Sequence, residues 1–360
     1  MTHDFLIIGG GIAGVSAGAR LSDLGTVLLL EAETSLAYHA SGRSAALYEA
    51  QYGKPEVIAL NLASRADHES LDGGVFSPRG LMLLATHGEE ELFAADIAAM
   101  GLPRISVAEA VARVPVLNPE AIAGAAAHGD AWDIDTDRLV QHFARVIRAA
   151  GGQVVTDAPV TGIARTATGW QVTAGGQTHA ARQLVNAAGA WADRIAAMAG
   201  IDPIGITPLR RSVARIPAPG GMDVSGWPML LGAGESWYAK PDAGQLIVSP
   251  AEEDPVPEPH DAWPEDLTLA EGIARYQHFA TEEVTRMTAS WAGLRSFSPD
   301  RLLVLGPDPL DSSFIWAAGQ GGYGFQTAPA ASRLVADLVA GRAPVLDAAS
   351  VAALSPARFR

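Results

Sequence analysis

The sequence contains no cysteine and almost no lysine. With no cysteine in 360 residues, disulfides, thiolate metal sites, iron–sulfur clusters, cysteine nucleophiles and a cysteinyl link to a cofactor are excluded. Lysine occurs only at Lys54 and Lys240, and acidic residues outnumber basic ones 40 to 25. The formal charge of −15 argues against a nucleic-acid partner or an anionic membrane surface, because both require a positive face.

Long apolar runs are also missing. No stretch reaches the ~18–20 apolar residues that span a bilayer. Residues 5–19 carry no charge and could pass for the apolar part of an export signal. However, no lysine or arginine precedes them and glycines interrupt them, so we expect a cytoplasmic protein without an integral membrane segment.

The chain is rich in apolar residues and in clustered glycine. Hydrophobic residues make up 48% and charged residues 18%, which excludes wholesale disorder. The length predicts two structural units, with one large α/β domain as the alternative. Two apolar runs, residues 4–8 and 26–30, flank a helical stretch and predict a β–turn–α–β unit. Glycine loops near both ends of the chain suggest one domain assembled from separated segments. Residues 251–266, rich in proline and acids, are expected to form a surface loop.

The first glycine loop has the spacing of a dinucleotide-binding turn. Gly9, Gly11 and Gly14 form G-x-G-x-x-G between a strand and a helix, and Glu31 ends the next strand. Such glycines permit a tight turn, close approach of a pyrophosphate and close helix packing, while the acid accepts from a ribose hydroxyl. A purely structural turn is the alternative, but the surrounding pattern favours a dinucleotide.

Two other motifs are better explained structurally. Residues 14–18 match the G-x-S-x-G of serine hydrolases, but Ser16 would lie inside the helix rather than on a sharp turn after a strand. Asp133, Asp135 and Asp137 resemble the start of a calcium loop, yet the glycine and glutamate that such a loop needs are absent. We expect these acids to cap and charge the next helix. The histidines show no metal-ligand spacing, so no metal site is expected.

Five segments together resemble a known family. They are residues 9–14, 38–46, 185–191, 291–297 and 319–324. Their order and content resemble the FAD-dependent D-amino-acid oxidase family, which includes glycine and sarcosine oxidases. Within it, the chain is most similar to the bacterial D-arginine dehydrogenase group, over essentially its whole length.

The resemblance implies an α/β fold with FAD as the cofactor. A Rossmann-like FAD-binding domain would comprise residues 1–78, 146–208 and 296–360, and a mostly antiparallel β substrate domain would comprise 79–145 and 209–295. Without cysteine, the FAD should be held non-covalently. The residues implied to bind it are Gly9, Gly11, Ile12, Ala13, Gly14, Glu31, Ala32, Ser41, Gly42, Arg43, Ser44, Ala45, Ala46, Val160, Ala188, Gly189, Trp191, Gly319, Gly321, Gly322, Tyr323 and Gly324.

By the same resemblance, Arg295 would bind the substrate carboxylate and Arg211 would assist. Arginine suits this role because its planar fork binds both carboxylate oxygens. The Gly322 carbonyl could accept a hydrogen bond from the substrate amine. The residues implied to wall the pocket are Tyr52, Met229 and Tyr238. The alternative role for the two arginines is a surface or structural ion pair. The alternative for the three pocket residues is plain core packing.

Two positions depart from the D-arginine group. Leu81 stands where that group has an acid for the guanidinium, and Leu47 stands where it has a histidine. A guanidinium against leucine would lose a charged hydrogen bond. Glu49 or Glu235 could compensate only if it points inward.

The predicted activity is therefore oxidative deamination of a D-amino acid, with hydride transfer from Cα to the flavin and release of a 2-oxo acid and ammonia. Substrates less cationic than D-arginine are expected. The electron acceptor, oxygen or a quinone, stays open. Two alternatives also stay open: an oxidase of glycine, sarcosine or another N-substituted amino acid, and a flavin-binding protein without catalysis.

Overall fold

The computed structural model describes residues 2–360, in which strands and helices alternate along the chain. The first elements are β1 (Thr2–Ile8), α1 (Ile12–Leu21), β2 (Val27–Leu30), β3 (Leu47–Glu49), α2 (Pro55–Ser70) and β4 (Phe76–Pro78). There follow β5 (Leu81–Ala85), α3 (Glu90–Met100), β6 (Arg104–Ile105), α4 (Val107–Arg113), β7 (Gly124–His128), β8 (Ala131–Ile134) and α5 (Thr136–Ala149).

The second half begins with a run of strands. These elements are β9 (Gln153–Val155), β10 (Val160–Thr166), β11 (Gly169–Ala174), β12 (Gln177–Asn186) and α6 (Ala192–Met198). Then come β13 (Thr207–Ile216), β14 (Met229–Gly232), β15 (Tyr238–Asp242), β16 (Gln245–Ser249), β17 (Asp254–Pro255), α7 (Asp266–His278) and β18 (Ala289–Phe297). The last are β19 (Val304–Pro307), β20 (Phe314–Ala318), α8 (Gly324–Ala340) and α9 (Ala348–Leu354).

The first sheet has eight strands and a parallel centre. Its order is β10-β11-β12-β1-β2-β9, with β20 joined to β12 and β19 to β20. Residues 5–8 of β1 and all of β2 are apolar and buried, as expected where helices cover both faces of a parallel sheet. The predicted β–turn–α–β unit is present, and Ser16 is buried inside α1. This sheet draws on three separated parts of the chain.

The second sheet has nine strands in the order β17-β13-β16-β15-β14-β5-β7-β6, with β18 joined to β13. Every pair is antiparallel except β5 with β14. The predicted mostly antiparallel β unit is thus present. Its long pair β13–β18 brings distant residues of the chain onto one surface.

Helix α5 differs from the predicted division of the chain. Leu139, Phe143 and Ile147 belong to the same buried cluster as Phe5 and Val15. All of α5 therefore packs with the first sheet, although a boundary at residue 146 would split it. A third, three-stranded sheet, β3-β8-β4, joins segments predicted to lie in different domains.

The acid-rich segment before α5 has a structural explanation. The Asp135 side chain caps α5 by accepting from the Arg138 backbone N–H at 3.0 Å. Asp133 lies in β8 and accepts from Lys240 at 2.8 Å and from Arg79 at 2.8 Å. Capping was expected for all three acids, but Asp133 instead ties β8 to β15. Between residues 2 and 360, no helix is long and apolar enough to cross a membrane.

Candidate functional site

A long cleft formed by two connected cavities runs from the carboxyl ends of β1 and β2 to the second sheet. Both cavities are lined by Gly11, Ser41, Arg43, Gly189 and Leu294. We call the part beside β1 and β2 the dinucleotide end, and the part beside β5, β13, β14 and β18 the substrate end. In doubly wound folds, ligands bind outside the carboxyl ends of the strands.

Backbone atoms shape the dinucleotide end. Gly9 has φ +110°, and a Cβ there would overlap the Ala187 carbonyl oxygen, so the turn requires glycine. The Ser41 hydroxyl accepts from the Ile12 N–H at 3.0 Å. This contact holds the segment after β2 against the start of α1.

Glu31 is held by the same turn. Its carboxylate is buried and accepts from the Gly10 N–H at 2.6 Å and from the Glu33 N–H at 2.9 Å. A carboxylate has about four acceptor positions, so the two backbone contacts orient it while leaving capacity for a ligand hydroxyl.

Most residues predicted to bind the dinucleotide line the cleft. They are Gly9, Gly11, Ile12, Ala13, Glu31, Ala32, Ser41, Arg43, Ser44, Ala45, Ala46, Val160, Ala188, Gly189, Trp191, Gly321, Gly322 and Gly324. The others lie behind it: Gly14 packs α1 against Gly9, Gly42 packs on Ala37, Gly319 packs near Val304, and Tyr323 packs on Gly53.

Arg43 lines both cavities, but its guanidinium is engaged elsewhere. It donates to the carbonyls of Ala292 at 2.8 Å and Ala262 at 3.1 Å, and it pairs with Asp261. Arg43 was predicted to bind FAD. In the structure it connects the segment after β2 to the loop before α7.

All eight residues predicted for the substrate site line the substrate end: Arg295, Arg211, Tyr238, Tyr52, Met229, Gly322, Leu81 and Leu47. Strand pairing explains their convergence. Met229 is paired with Leu81 between β14 and β5. On β13–β18, Arg211 is paired with Gly293 and Leu209 with Arg295, so the two arginines are diagonal neighbours.

The two arginines differ in their partners. In residues 2–360, no carboxylate lies within ion-pair distance of Arg295 and its guanidinium donates no hydrogen bond. It lies against the Gly322 backbone, where a Cβ would come 3.0 Å from its Cζ. Arg211 is buried and donates to the Glu252 carbonyl at 2.9 Å and to the Glu253 carboxylate at 3.2 Å. Arg295 is therefore the free cation of the cleft.

Their electrostatics differ as well. Burial, followed by repulsion from Arg295, lowers the pKa of Arg211. For Arg295, burial acts to lower the pKa, but Tyr52, Tyr238 and Glu235 raise it on balance. Both stay protonated at neutral pH.

Two acids also line the substrate end, and they are used differently. Glu49 is almost fully buried, with its carboxylate 2.9 Å from His128 Nε2 and accepting from the Gln51 N–H at 3.0 Å. This contact, against the opposing effect of burial, raises the pKa of His128. Glu235 is half-buried and accepts from the Tyr52 hydroxyl at 3.0 Å. Burial, then the Glu235 charge, raises the pKa of Tyr52.

Several lining residues were not among the predicted site residues. At the substrate end they are Met100, Leu231, Ala251, Phe325 and Gln326, and at the dinucleotide end they are Glu33, His39, His260 and Ala262. Met100 ends a helix, and Leu231 lies in a strand that no local pattern marked. His39 is recognisable only in the structure, where its ring lies 4.6 Å from that of Trp191.

Known proteins are similar to this chain over most of its length. A model of the family described as FAD dependent oxidoreductase matches residues 4–338. Glycine oxidase of Geobacillus kaustophilus is 26% identical over 97% of this chain and 96% of its own length. D-amino acid dehydrogenase of Xanthobacter autotrophicus is 42% identical over 69 residues, covering 19% of this chain and 15% of its own.

The fold has close counterparts among solved structures. The crystal structure of the Geobacillus kaustophilus glycine oxidase superposes with a TM-score of 0.84 at 24% identity, covering 100% of this chain and 99% of that one. The crystal structure of L-proline dehydrogenase from P. horikoshii also superposes with a TM-score of 0.84. The identity is 22%, and the superposition covers 99% of this chain and 98% of that one. At these identities the structural likeness concerns the fold alone.

Proposed function

The chain belongs to the FAD dependent oxidoreductase (DAO) family, and from that premise we propose that it oxidises the Cα–N bond of a D-amino acid with an apolar side chain. An imino acid would form first and hydrolyse to a 2-oxo acid and ammonia. The observation that carries the proposal is the unpaired Arg295 guanidinium in a cavity with apolar walls.

The residues of the cleft fit FAD. Gly9 and Gly11 place backbone without side chains on the wall of the cavity that the Glu31 carboxylate also lines, so a pyrophosphate can approach closely. Toward the substrate end, Gln326 lines the cavity, and its buried Nε2 has no hydrogen-bond partner in residues 2–360. A buried donor of this kind requires an acceptor, and FAD offers several. When bound, FAD accepts the hydride that leaves Cα.

Arg295 would bind the substrate through its carboxylate. Arg295 is half-buried, and a guanidinium without a protein partner gains a strong, two-pronged hydrogen bond when a carboxylate arrives. The Gly322 backbone beside Arg295 leaves its carbonyl as a candidate acceptor for the substrate amine. Catalysis would then depend mainly on positioning Cα.

The rest of the substrate end determines which side chain fits. Leu81, Met229 and Leu231 are buried, and Leu47 and Met100 complete an apolar wall. Apolar surface buried there contributes roughly 25 cal/mol per Å². Glu49, the buried acid of this wall, is already paired with His128. Apolar D-amino acids should therefore be better substrates than D-arginine.

The D configuration is supported by the resemblance at Arg211, Arg295, Tyr52 and Tyr238 and by the short match to D-amino acid dehydrogenase. The second candidate is oxidation of glycine or an N-substituted glycine, favoured by the match to glycine oxidase along the whole chain. The large apolar wall favours the first candidate, because glycine would leave it empty.

An anaerobic stopped-flow panel tests the proposal. The holoenzyme is mixed with D-valine, D-leucine, D-phenylalanine, D-arginine, glycine, sarcosine and L-leucine, and bleaching of the flavin absorbance is followed. We expect the apolar D-amino acids to give the highest second-order rate constants. Faster bleaching by glycine or sarcosine would establish the second candidate. Faster bleaching by L-leucine would refute the D configuration.

A further inference from the structure

Residues 256–262, which we call the strap, leave the second sheet and cross to the dinucleotide end. Their start is anchored where the Val256 N–H donates to the Pro208 carbonyl at 2.9 Å. Val256 and Ala262 are buried in one cluster with Ala190 and Leu294. The segment is a surface loop, as expected, with residues 257–261 exposed or partly exposed, but its two buried ends anchor it to both halves of the molecule.

The strap forms one wall of the dinucleotide end. His260 and Ala262 line the same cavity as Glu31, Val160 and Trp191. The opposite wall comes from the first sheet, whereas the strap directly follows β17, a strand of the second sheet. A dinucleotide in this cavity would thus be enclosed by the strap.

One charged contact ties the strap across the cleft. Arg43 pairs with Asp261 and donates to the Ala262 carbonyl at 3.1 Å. The Tyr38 hydroxyl donates to Asp261 at 3.3 Å, and the His39 ring lies 3.9 Å from Asp261. The Arg43 side chain is 15% exposed and the Asp261 side chain is 38% exposed. The pair is therefore less screened than an ordinary surface ion pair.

A second ion pair on the same strap provides a comparison. Glu258 pairs with Arg194, but these side chains are 82% and 51% exposed. Exposed pairs of this kind contribute little. The strap thus makes one partly shielded ion pair, Asp261 with Arg43, and one exposed ion pair, Glu258 with Arg194.

We propose that the strap is part of the FAD site and retains the cofactor, and that the Arg43–Asp261 pair is the latch that must open before FAD can leave. The inference depends on FAD as the family's cofactor and not on the substrate. Its failure would leave the proposed function untouched.

The test measures FAD release from the holoenzyme. After dilution, the rise of free-flavin fluorescence yields the dissociation rate for the wild type, Asp261→Ala and the control Glu258→Gln. We expect Asp261→Ala to release FAD on the order of fivefold faster, with Glu258→Gln and the charge-retaining Asp261→Glu within about twofold of the wild type.

A stability measurement separates the latch from a general loss of structure. FAD stabilises the folded state by a free energy that grows with the logarithm of its affinity, so Asp261→Ala should narrow the gap between the holo and apo melting temperatures and leave the apo value unchanged. An unchanged release rate in Asp261→Ala overturns the proposal. An equal acceleration of FAD release by Glu258→Gln also overturns it, because the exposed ion pair would then retain FAD as well as the Arg43–Asp261 pair does.

Discussion

The two ends of the cleft are built from different parts of the polypeptide. The dinucleotide end is shaped by backbone: a glycine turn, small residues and the first turn of α1. The substrate end is shaped by side chains that reach it from β3, β5, β13, β14, β15 and β18. The first depends on local conformation, and the second depends on how distant strands pair. The two ends should consequently respond to mutation in different ways.

The largest effect is expected at the backbone-built end. Gly9→Ala forces φ +110° on a residue with a Cβ and overlaps the Ala187 carbonyl; the strain alone costs about 1–3 kcal/mol. We expect little FAD in the purified protein, measured as the ratio of flavin to protein absorbance. Gly226→Ala is the control, because Gly226 is exposed and has no atoms near its would-be Cβ. Normal FAD content in Gly9→Ala would show that the turn can rearrange.

At the side-chain-built end, loss of the free cation should impair turnover and spare the cofactor. Arg295→Met should lower kcat/KM by roughly 30- to 150-fold, or about 2–3 kcal/mol of transition-state binding. FAD content should stay at the wild-type level. Arg182→Met, at an exposed arginine paired with Asp4, is the control for loss of surface charge. If Arg295→Met turns over substrate at the wild-type rate, the substrate carboxylate is bound by Arg211 instead.

The smallest effect is expected from a substitution in the apolar wall, because it should alter the preference between substrates and not the binding of FAD. Leu81→Glu would place an acid beside Met229 in the apolar wall, and we expect the ratio of kcat/KM for D-arginine to that for D-leucine to rise about tenfold. The ratio is measured by steady-state kinetics with both substrates. If the unmodified enzyme already prefers D-arginine, the apolar wall does not set selectivity, and Glu235→Gln should then reverse the preference.

Much of the fold could be predicted from local patterns. The glycine turn, α1 and the strands around them were recognisable because spacing and apolar periodicity are properties of neighbouring residues. The packing of the elements against one another could not be predicted in this way. The whole of α5 packs with the first sheet because its apolar face meets α1.

By itself, the sequence determined the α/β class, the dinucleotide turn and the residue types available for a carboxylate site, since each follows from motifs or from residue chemistry. Tertiary structure alone decided which groups are free. It paired Glu49 with His128, joined Glu235 to Tyr52, left Arg295 without a partner and turned Arg43 toward the strap. The physical reason is that a side chain's partner depends on strand register and loop packing, which bring together residues far apart in the chain.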